Sequence, residues 1–326
     1  MDPLTPIENQ AKLTKELFKR GYTAGRAMPK PARARMIACG MGGSILGAEL
    51  FQTFAQSALP ELEISVWQTY GLPNSVGRAT ADAYCISYSG NTEETLSAFR
   101  KAYDQGTTLA CLAGGGTLAA KAKKMNVRLV VLPETVVPRQ VAPFVFGFFV
   151  GLYCRDAKTT REVTRIALDE RAINAAAARI AIKLAKKQVL VYTPISSLSL
   201  AHLWEIHLNE TAGLLAFGDD IPDIDHHTLA ALNNASERSA FHALFLESTK
   251  QSSAMRKRID LTKRTLGRIG IGHSSVAIKT NSLLESLLSN TAIASLSAIA
   301  IARKTRFNPF TNTIQDSFKK NLRIRP

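Results

Sequence analysis

From residue 35 onward, short apolar runs alternate with stretches whose apolar residues recur every three or four positions. The runs "RMIACG" (35–40), "LEISVWQTY" (62–70), "ADAYCISYSG" (81–90), "TTLACLAG" (107–114) and "VRLVVLP" (127–133) have the length and composition of strands. Helical patterns lie between most of them: "GGSILGAELFQTFAQSA" (42–58), "NTEETLSAFRKAYDQG" (91–106) and "GTLAAKAKKMN" (116–126). Five strands with mostly helical crossovers in about a hundred residues predict a doubly wound parallel sheet.

The pattern then repeats in part. An apolar helix over 141–154 ("VAPFVFGFFVGLYC") and a long Ala/Arg/Lys-rich helical stretch (158–187) come first. A second alternation follows, with strand "QVLVYTP" (188–194), a helix over 197–213, strand "AFHALFLEST" (240–249), a basic helix (250–268), strand "SSVAIKT" (274–280) and an apolar helix from about 283 to 304. The fold class expected is α/β, with two doubly wound parallel-sheet domains, each an αβα sandwich. The N-terminal domain is placed at 1–155 (helical N-terminus 1–30), a connecting helix at 156–187 and the C-terminal domain at 188–326.

Composition narrows the class. The N-terminus is amphipathic and charged without a leader pattern, and the 141–154 run is too short to span a bilayer. A soluble, cytoplasmic protein with no membrane association is expected. The net charge of +15 attracts anions, whether phosphorylated metabolites, nucleic acid or acidic surfaces. Its densest run, 250–268, reads as a solvated helix face. No zinc-finger, KH, RRM or basic-zipper module accompanies it, so nucleic acid is not the expected partner. Cys39, Cys85, Cys111 and Cys154 sit in or beside apolar segments without metal-ligand or redox spacing, as structural thiols do.

Candidate chemistry lies at strand ends, where such sheets bind ligands. In "CGMGGSILG" a strand runs into Gly40, Gly42 and Gly43, and Ser44 opens a helix whose N–H groups are available to an anion. The spacing fits neither G-x-G-x-x-G nor a Walker loop, and a tight strand–helix turn explains it equally well. In "CISYSGNTEET" (85–95), Asn91 with Glu94 resembles a capping box. Capping leaves Ser87, Ser89 and Thr92 unexplained, and three hydroxyls with the amides at a helix start can converge on phosphate oxygens.

These residues resemble the sugar isomerase (SIS) domain, whose phosphate loop Ser-x-Ser-Gly-x-Thr is matched by Ser87, Ser89, Gly90 and Thr92. "VVPRQVAP" (136–143), "LNETAG" (208–213), "PDIDHHT" (222–228) and "RFNPF" (306–310) resemble, in order, the motifs of archaeal-type bifunctional phosphoglucose/phosphomannose isomerases. The resemblance implies a homodimer of two-SIS-domain chains, interconverting aldose 6-phosphates with fructose 6-phosphate. On it, Ser87, Ser89 and Thr92 hold the phosphate, and Gly42, Gly43 and Ser44 lie beside the sugar. Glu210 is the base that moves a proton through a cis-enediolate, a task suited to a carboxylate of raised pKa. His227 opens the ring from the partner subunit, and Arg139 supports the enediolate charge. No metal or organic cofactor is implied.

Two departures qualify the match. The place of the family's lysine on its last long helix holds Ala300, with Lys304 one turn further along and able to substitute. The family's lysine after its Asn-Glu motif is replaced by Gly213. A phosphosugar-binding sensor of the same fold is therefore the competing reading. Without the family, Glu210 reads as a helix-end carboxylate and Arg139 as a helix-start residue. His226 and His227 then read as imidazoles near Asp219, Asp220, Asp223 and Asp225, a set without metal-ligand spacing.

Overall fold

The computed structural model describes residues 9–322 apart from 32, 77–79, 234–236, 249–250, 279–281 and 312. The expected strand ends at 249 and 279–280 fall outside those residues. In the first half, β1 (Arg35–Gly40), β2 (Glu63–Trp67), β3 (Asp82–Ser87), β4 (Thr108–Ala113) and β5 (Arg128–Val131) form an all-parallel sheet of order β2-β1-β3-β4-β5. The chain reverses direction across the sheet between β1 and β3, the switch point where this topology opens a crevice. The two loops singled out by sequence leave those two strands.

The second sheet, order β7-β6-β8-β9, contains β6 (Gln188–Pro194), β7 (Ala216–Ile221), β8 (Phe241–Ser248) and β9 (Gly272–Ile278), again all parallel. β7 was not expected as a strand. It is an edge strand whose "AFGDDI" carries two carboxylates and an exposed Phe217, so its apolar signal is weak.

Period-two alternation divides each strand between two cores. Met36 and Ala38 of β1, Tyr84 and Ile86 of β3, Val189 and Val191 of β6, and Leu244 and Leu246 of β8 enter one continuous central core. Ile37, Cys39, Ala83, Cys85 and Cys111 turn to an outer core under α3 (Glu93–Asp104) and α4 (Gly116–Lys124). Leu190, Tyr192, Ala243 and Phe245 form the corresponding outer core of the second sheet. Both faces of the central strands are covered, which is why they read as nearly unbroken apolar runs.

The central layer is helical and shared by both sheets. It includes α1 (Gln10–Ala27), α2 (Leu46–Ala58), α5 (Ala142–Tyr153), α7 (Glu170–Leu184), α8 (Leu198–Ile206) and α11 (Leu283–Thr305). α1 lies along α5, where Phe18 meets Phe146 edge-to-face at 5.2 Å. α11 is long and apolar enough to cross a membrane by length and composition, but 78% of its apolar window is buried in this layer. The stretch expected as one connecting helix (156–187) is instead α6 (Ala157–Arg165) and α7, each started by an aspartate cap, Asp156 and Asp169. All four cysteines are free and buried. Two side-chain contacts tie α2 to α8: Glu49 with His202 at 2.8 Å, and Thr53 with Ser199 at 2.5 Å.

Candidate active site

The phosphate-type loop is held from three sides. Ser87, only 1% exposed, accepts from the Gly90 amide at 3.1 Å and exchanges a hydrogen bond with Thr92 Oγ1 at 3.0 Å. Ser87 therefore stands behind Thr92, and the more accessible hydroxyls are those of Thr92 and Ser89. Ser44 Oγ accepts from the Tyr88 amide at 3.1 Å, joining the glycine loop to this one. Tyr88 Oη in turn pairs with both the amide and the carbonyl of Thr135, at 2.9 Å each, fixing the chain after β5.

Asn91 is not the cap of α3, contrary to the capping-box expectation. Thr92 holds the N-cap position of that helix without a side-chain cap bond. Asn91 Oδ1 instead accepts from Thr117 N (3.0 Å) and Thr117 Oγ1 (2.9 Å) in the first turn of the neighbouring α4. The junction that opens that helix, "GGGT" (114–117), is clamped onto the phosphate-type loop, since Gly114 N donates to Tyr88 O and Leu118 N to Gly90 O. Three glycines and a threonine at a strand–helix junction were a visible sign of this second loop. Glu93, the carboxylate nearest the helix start, accepts from Tyr70 Oη at 3.4 Å.

Arg139 sits in a short 3-10 turn (Pro138–Val141) and is 3% exposed. Its Nη1 donates to Glu210 Oε2 at 2.7 Å and its Nε to Thr211 Oγ1 at 2.6 Å. Neighbouring residues of a regular α-helix do not face one partner. Here they do because α8 widens into a π-helical turn over His207–Thr211, marked by the Ala212 N to His207 O bond of 3.2 Å. Burial draws Arg139 below the usual arginine value and Glu210 opposes that. Its intrinsic value lies so high that the guanidinium stays charged.

The glycine loop meets this pair directly. A Cβ on Gly43 would stand 2.7 Å from Cα and Cβ of Arg139, so only glycine permits the contact. The same construction on Gly42 places its Cβ 4.0 Å from Glu210 Oε1. One carboxylate oxygen is thus tied to Arg139 while the other faces the glycine loop. Glu210 is 32% exposed, open enough to meet a ligand. Gly42, Gly43, Ser44, Ser87, Thr92, Arg139 and Glu210 form one connected site at the switch point of the first sheet. Glu210 is delivered to it from the second half of the chain.

Residues 173–322 match the family described as the bacterial phospho-glucose isomerase C-terminal SIS domain. The bifunctional phosphoglucose/phosphomannose isomerase of Aquifex aeolicus is 27% identical over 295 residues, covering 88% of this chain and 90% of its own. The protein of the same description from Thermoplasma acidophilum is 26% identical, covering 72% of this chain and 73% of its own. The chain is a homologue of these isomerases. In fold, a hypothetical protein from Thermus thermophilus superposes with a TM-score of 0.75 at 13% identity, over 98% of this chain and 89% of that one.

Other motif residues have structural work. Asn209 clasps the start of β7, accepting from Ala216 N (2.8 Å) and donating to Ala216 O (3.2 Å). Gly213 has a φ of +63°, and the Phe307 ring stands 2.6 Å from where its Cβ would be, so this loop excludes a lysine as it is now packed.

Two expected site residues are not brought to the others. His227 is 55% exposed, and its side-chain partners among the described residues are Asp223 (3.4 Å), Asp219 (3.9 Å) and Thr228 (2.9 Å). Lys304 is exposed near the end of α11, with no recorded hydrogen bond or ion pair among the described residues, and Ala300 packs against the central core. Among the described residues, no group of three or more His, Cys, Asp or Glu is arranged to hold a metal ion.

Sequence reasoning overlooked His207 and Thr211. Thr211 lies inside the quoted motif, and its hydroxyl spacing gave no hint that it serves Arg139. His207 is 1% exposed, and burial, aided by the charge of Arg139, lowers its pKa to about 3.

Proposed function

We propose that this protein is a sugar-phosphate aldose–ketose isomerase acting on hexose 6-phosphates, interconverting glucose or mannose 6-phosphate with fructose 6-phosphate. The observation that carries the reading is the Arg139–Glu210 pair, presented to the glycine loop beside a hydroxyl-lined helix start. Isomerisation requires a proton to leave C2 of the open-chain aldose and arrive at C1, with negative charge on the enediolate oxygens between. Glu210 Oε1, facing the glycine loop, is suited to carry that proton both ways. Arg139, pinned at two corners, offers a fixed charge to the enediolate without reorganising. Thr92 and Ser89, backed by Ser87 and the α3 amides, would hold the phosphate, and Ser44 and the Gly42–Gly43 backbone would line the sugar.

Ring opening is assigned to His227 of a second copy. Asn209 pins the Glu210 turn to Ala216 at the start of β7, whereas His227 lies 3.9 Å from Asp219, three residues along that strand, and 3.4 Å from Asp223 beyond it. A strand rises about 3.3 Å per residue, so the two anchor points, Ala216 and Asp219, stand about 10 Å apart within one chain. A dimer that sets the His227 end of one chain against the Glu210 end of another would complete the site.

One observation favours a second reading, a phosphosugar-binding sensor. Ala300 belongs to the core periphery and Lys304 has no recorded partner in the site, so the lysine's contribution is not evidently replaced. The deciding experiment incubates purified protein with fructose 6-phosphate and scores glucose and mannose 6-phosphate separately. Turnover supports the isomerase, and binding without turnover supports the sensor. Within an active enzyme, loss of rate in Lys304→Ala with little gain in Ala300→Lys would assign the substitution to Lys304. A silent Lys304→Ala and a faster Ala300→Lys would assign a lost part.

A further inference from the structure

Beside Arg139 lies a small, partly open space lined by buried side chains. Its walls come from α1, the Pro138–Val141 turn, the π-helical turn and α11, and it measures about 10 Å³. That is roughly the room one water molecule needs. The lining is unusually polar for a helical core: Gln10, Thr14, Thr291 and Ser295 join Arg139, Gln140 and His207 around it. Of these lining residues, Arg139 Nη2, Gln140 Nε2 and both ring nitrogens of His207 are buried without a hydrogen-bond partner among the described residues.

The donor and acceptor inventory at this point is complementary. Arg139 Nη2 and Gln140 Nε2 can only donate, and a neutral imidazole offers one acceptor nitrogen. A charged His207 would face Arg139 in a buried space, and its depressed pKa keeps the ring neutral at ordinary pH. Two unpartnered donors and one acceptor on residues lining a space of that size match the coordination expected of a buried water, about three hydrogen bonds.

We propose that one water molecule occupies this cavity, accepting from Arg139 Nη2 and Gln140 Nε2 and donating to His207, and that His207 is thereby a positioning residue for the Arg139 guanidinium. The positioning role in catalysis rests on the isomerase reading above; the water itself does not. With the water in place Arg139 is held at three corners: Nε by Thr211, Nη1 by Glu210 and Nη2 from behind. Without the third, the guanidinium can pivot about the other two and its charge leaves the plane it presents to the substrate.

The test has a structural and a kinetic arm. A crystal structure of the full chain, at a resolution that shows ordered solvent, should place a density peak within hydrogen-bonding distance of Arg139 Nη2 and a His207 ring nitrogen. A dry cavity overturns the proposal. In His207→Phe the ring shape persists without nitrogens. There the peak should vanish and the Arg139–Glu210 contact, now 2.7 Å, should lengthen or break. His207→Gln keeps an acceptor and should retain both. If the protein isomerises, His207→Phe should lower kcat about 10- to 100-fold with little change in KM, and His207→Gln should recover most of it. A kcat unchanged in His207→Phe, or Arg139 unmoved in its structure, removes the positioning role. Should His207→Phe not fold, the parent density and His207→Gln carry the test, since loss of the Arg139–Glu210 contact with the water retained contradicts it. An inactive parent would sink the isomerase reading alone, and the two crystal structures would still decide this one.

Discussion

Replacing Glu210 with Gln keeps the shape of the side chain and one acceptor for Arg139 while removing the charge and the proton-accepting oxygen. Its cost to stability can be bounded from the geometry. Breaking a fully buried ion pair by removing one partner costs about 3–5 kcal/mol. Arg139 is buried, but Glu210 is 32% exposed and the Gln amide can still receive the 2.7 Å bond, so solvent and the residual bond reduce the loss. About 1–2 kcal/mol is expected, seen as a drop of a few degrees in Tm. The catalytic effect should be far larger, about 10²- to 10⁴-fold in kcat, the usual contribution of a positioned general base. The assay follows fructose 6-phosphate conversion by coupled detection, and by deuterium from solvent entering C1 or C2. Folded Glu210→Gln that exchanges deuterium at the parent rate would show that another group moves the proton. A collapse of Tm comparable to unfolding would show instead that the pair is structural.

Thr92→Ala should weaken fructose 6-phosphate binding by about 1–3 kcal/mol, roughly 5- to 150-fold in Kd by calorimetry, and an unchanged Kd would return the loop to a purely structural role. Gly213→Ala should destabilise the chain by at least about 1–2 kcal/mol, because a side chain at a φ of +63° is strained and the Phe307 ring must also move; an unaltered denaturation midpoint contradicts that. Stability should also fall as pH drops from 7 to 5. His207 and His242 are lowered to about 3 and 4 by burial, with Arg139 adding to the first and His273 and nearby lysines to the second. The unfolded rings take up protons below about 6.5 while the folded ones do not, a loss of roughly 2 kcal/mol each by pH 5. His202 works the other way: burial lowers its pKa, but the Glu49 hydrogen bond and the charges of Glu49 and Glu205 outweigh this and raise it. Its contribution is complete below the unfolded value and fades as pH rises through the folded one. A urea midpoint that rises on acidification would show that this pair outweighs the two buried rings.

Local order in the chain was legible wherever the information is local. The strands β1, β3, β4, β6 and β8 announced themselves because helices cover both their faces, which selects apolar side chains at every position. The hydroxyl-rich turn after β3 and the glycines after β1 were visible for the same reason: turn chemistry is written in a few consecutive residues. β7 was hidden because an edge strand bearing Asp219 and Asp220 has no such pattern. The break between α6 and α7 was hidden by a composition helical throughout, although Asp169 marked the second start.

The pairing of Arg139 with Glu210 is a different kind of fact. Arg139 and Glu210 are 71 residues apart, and no spacing rule connects them. They meet because the turn after β5 and the widened end of α8 are pressed together over the shared helical layer, and the lack of a side chain at Gly43 lets the backbone there approach Arg139. The motif order could nominate Glu210, Arg139 and the glycine loop one at a time. Only the packing could make Asn91 a clamp on α4 rather than a cap on α3, bury His207 near the guanidinium, and set His227 against Asp219 and Asp223. Periodicity records which face of an element is wet or dry. Which two dry faces meet, and what they carry to their shared edge, depends on the whole chain closing at once.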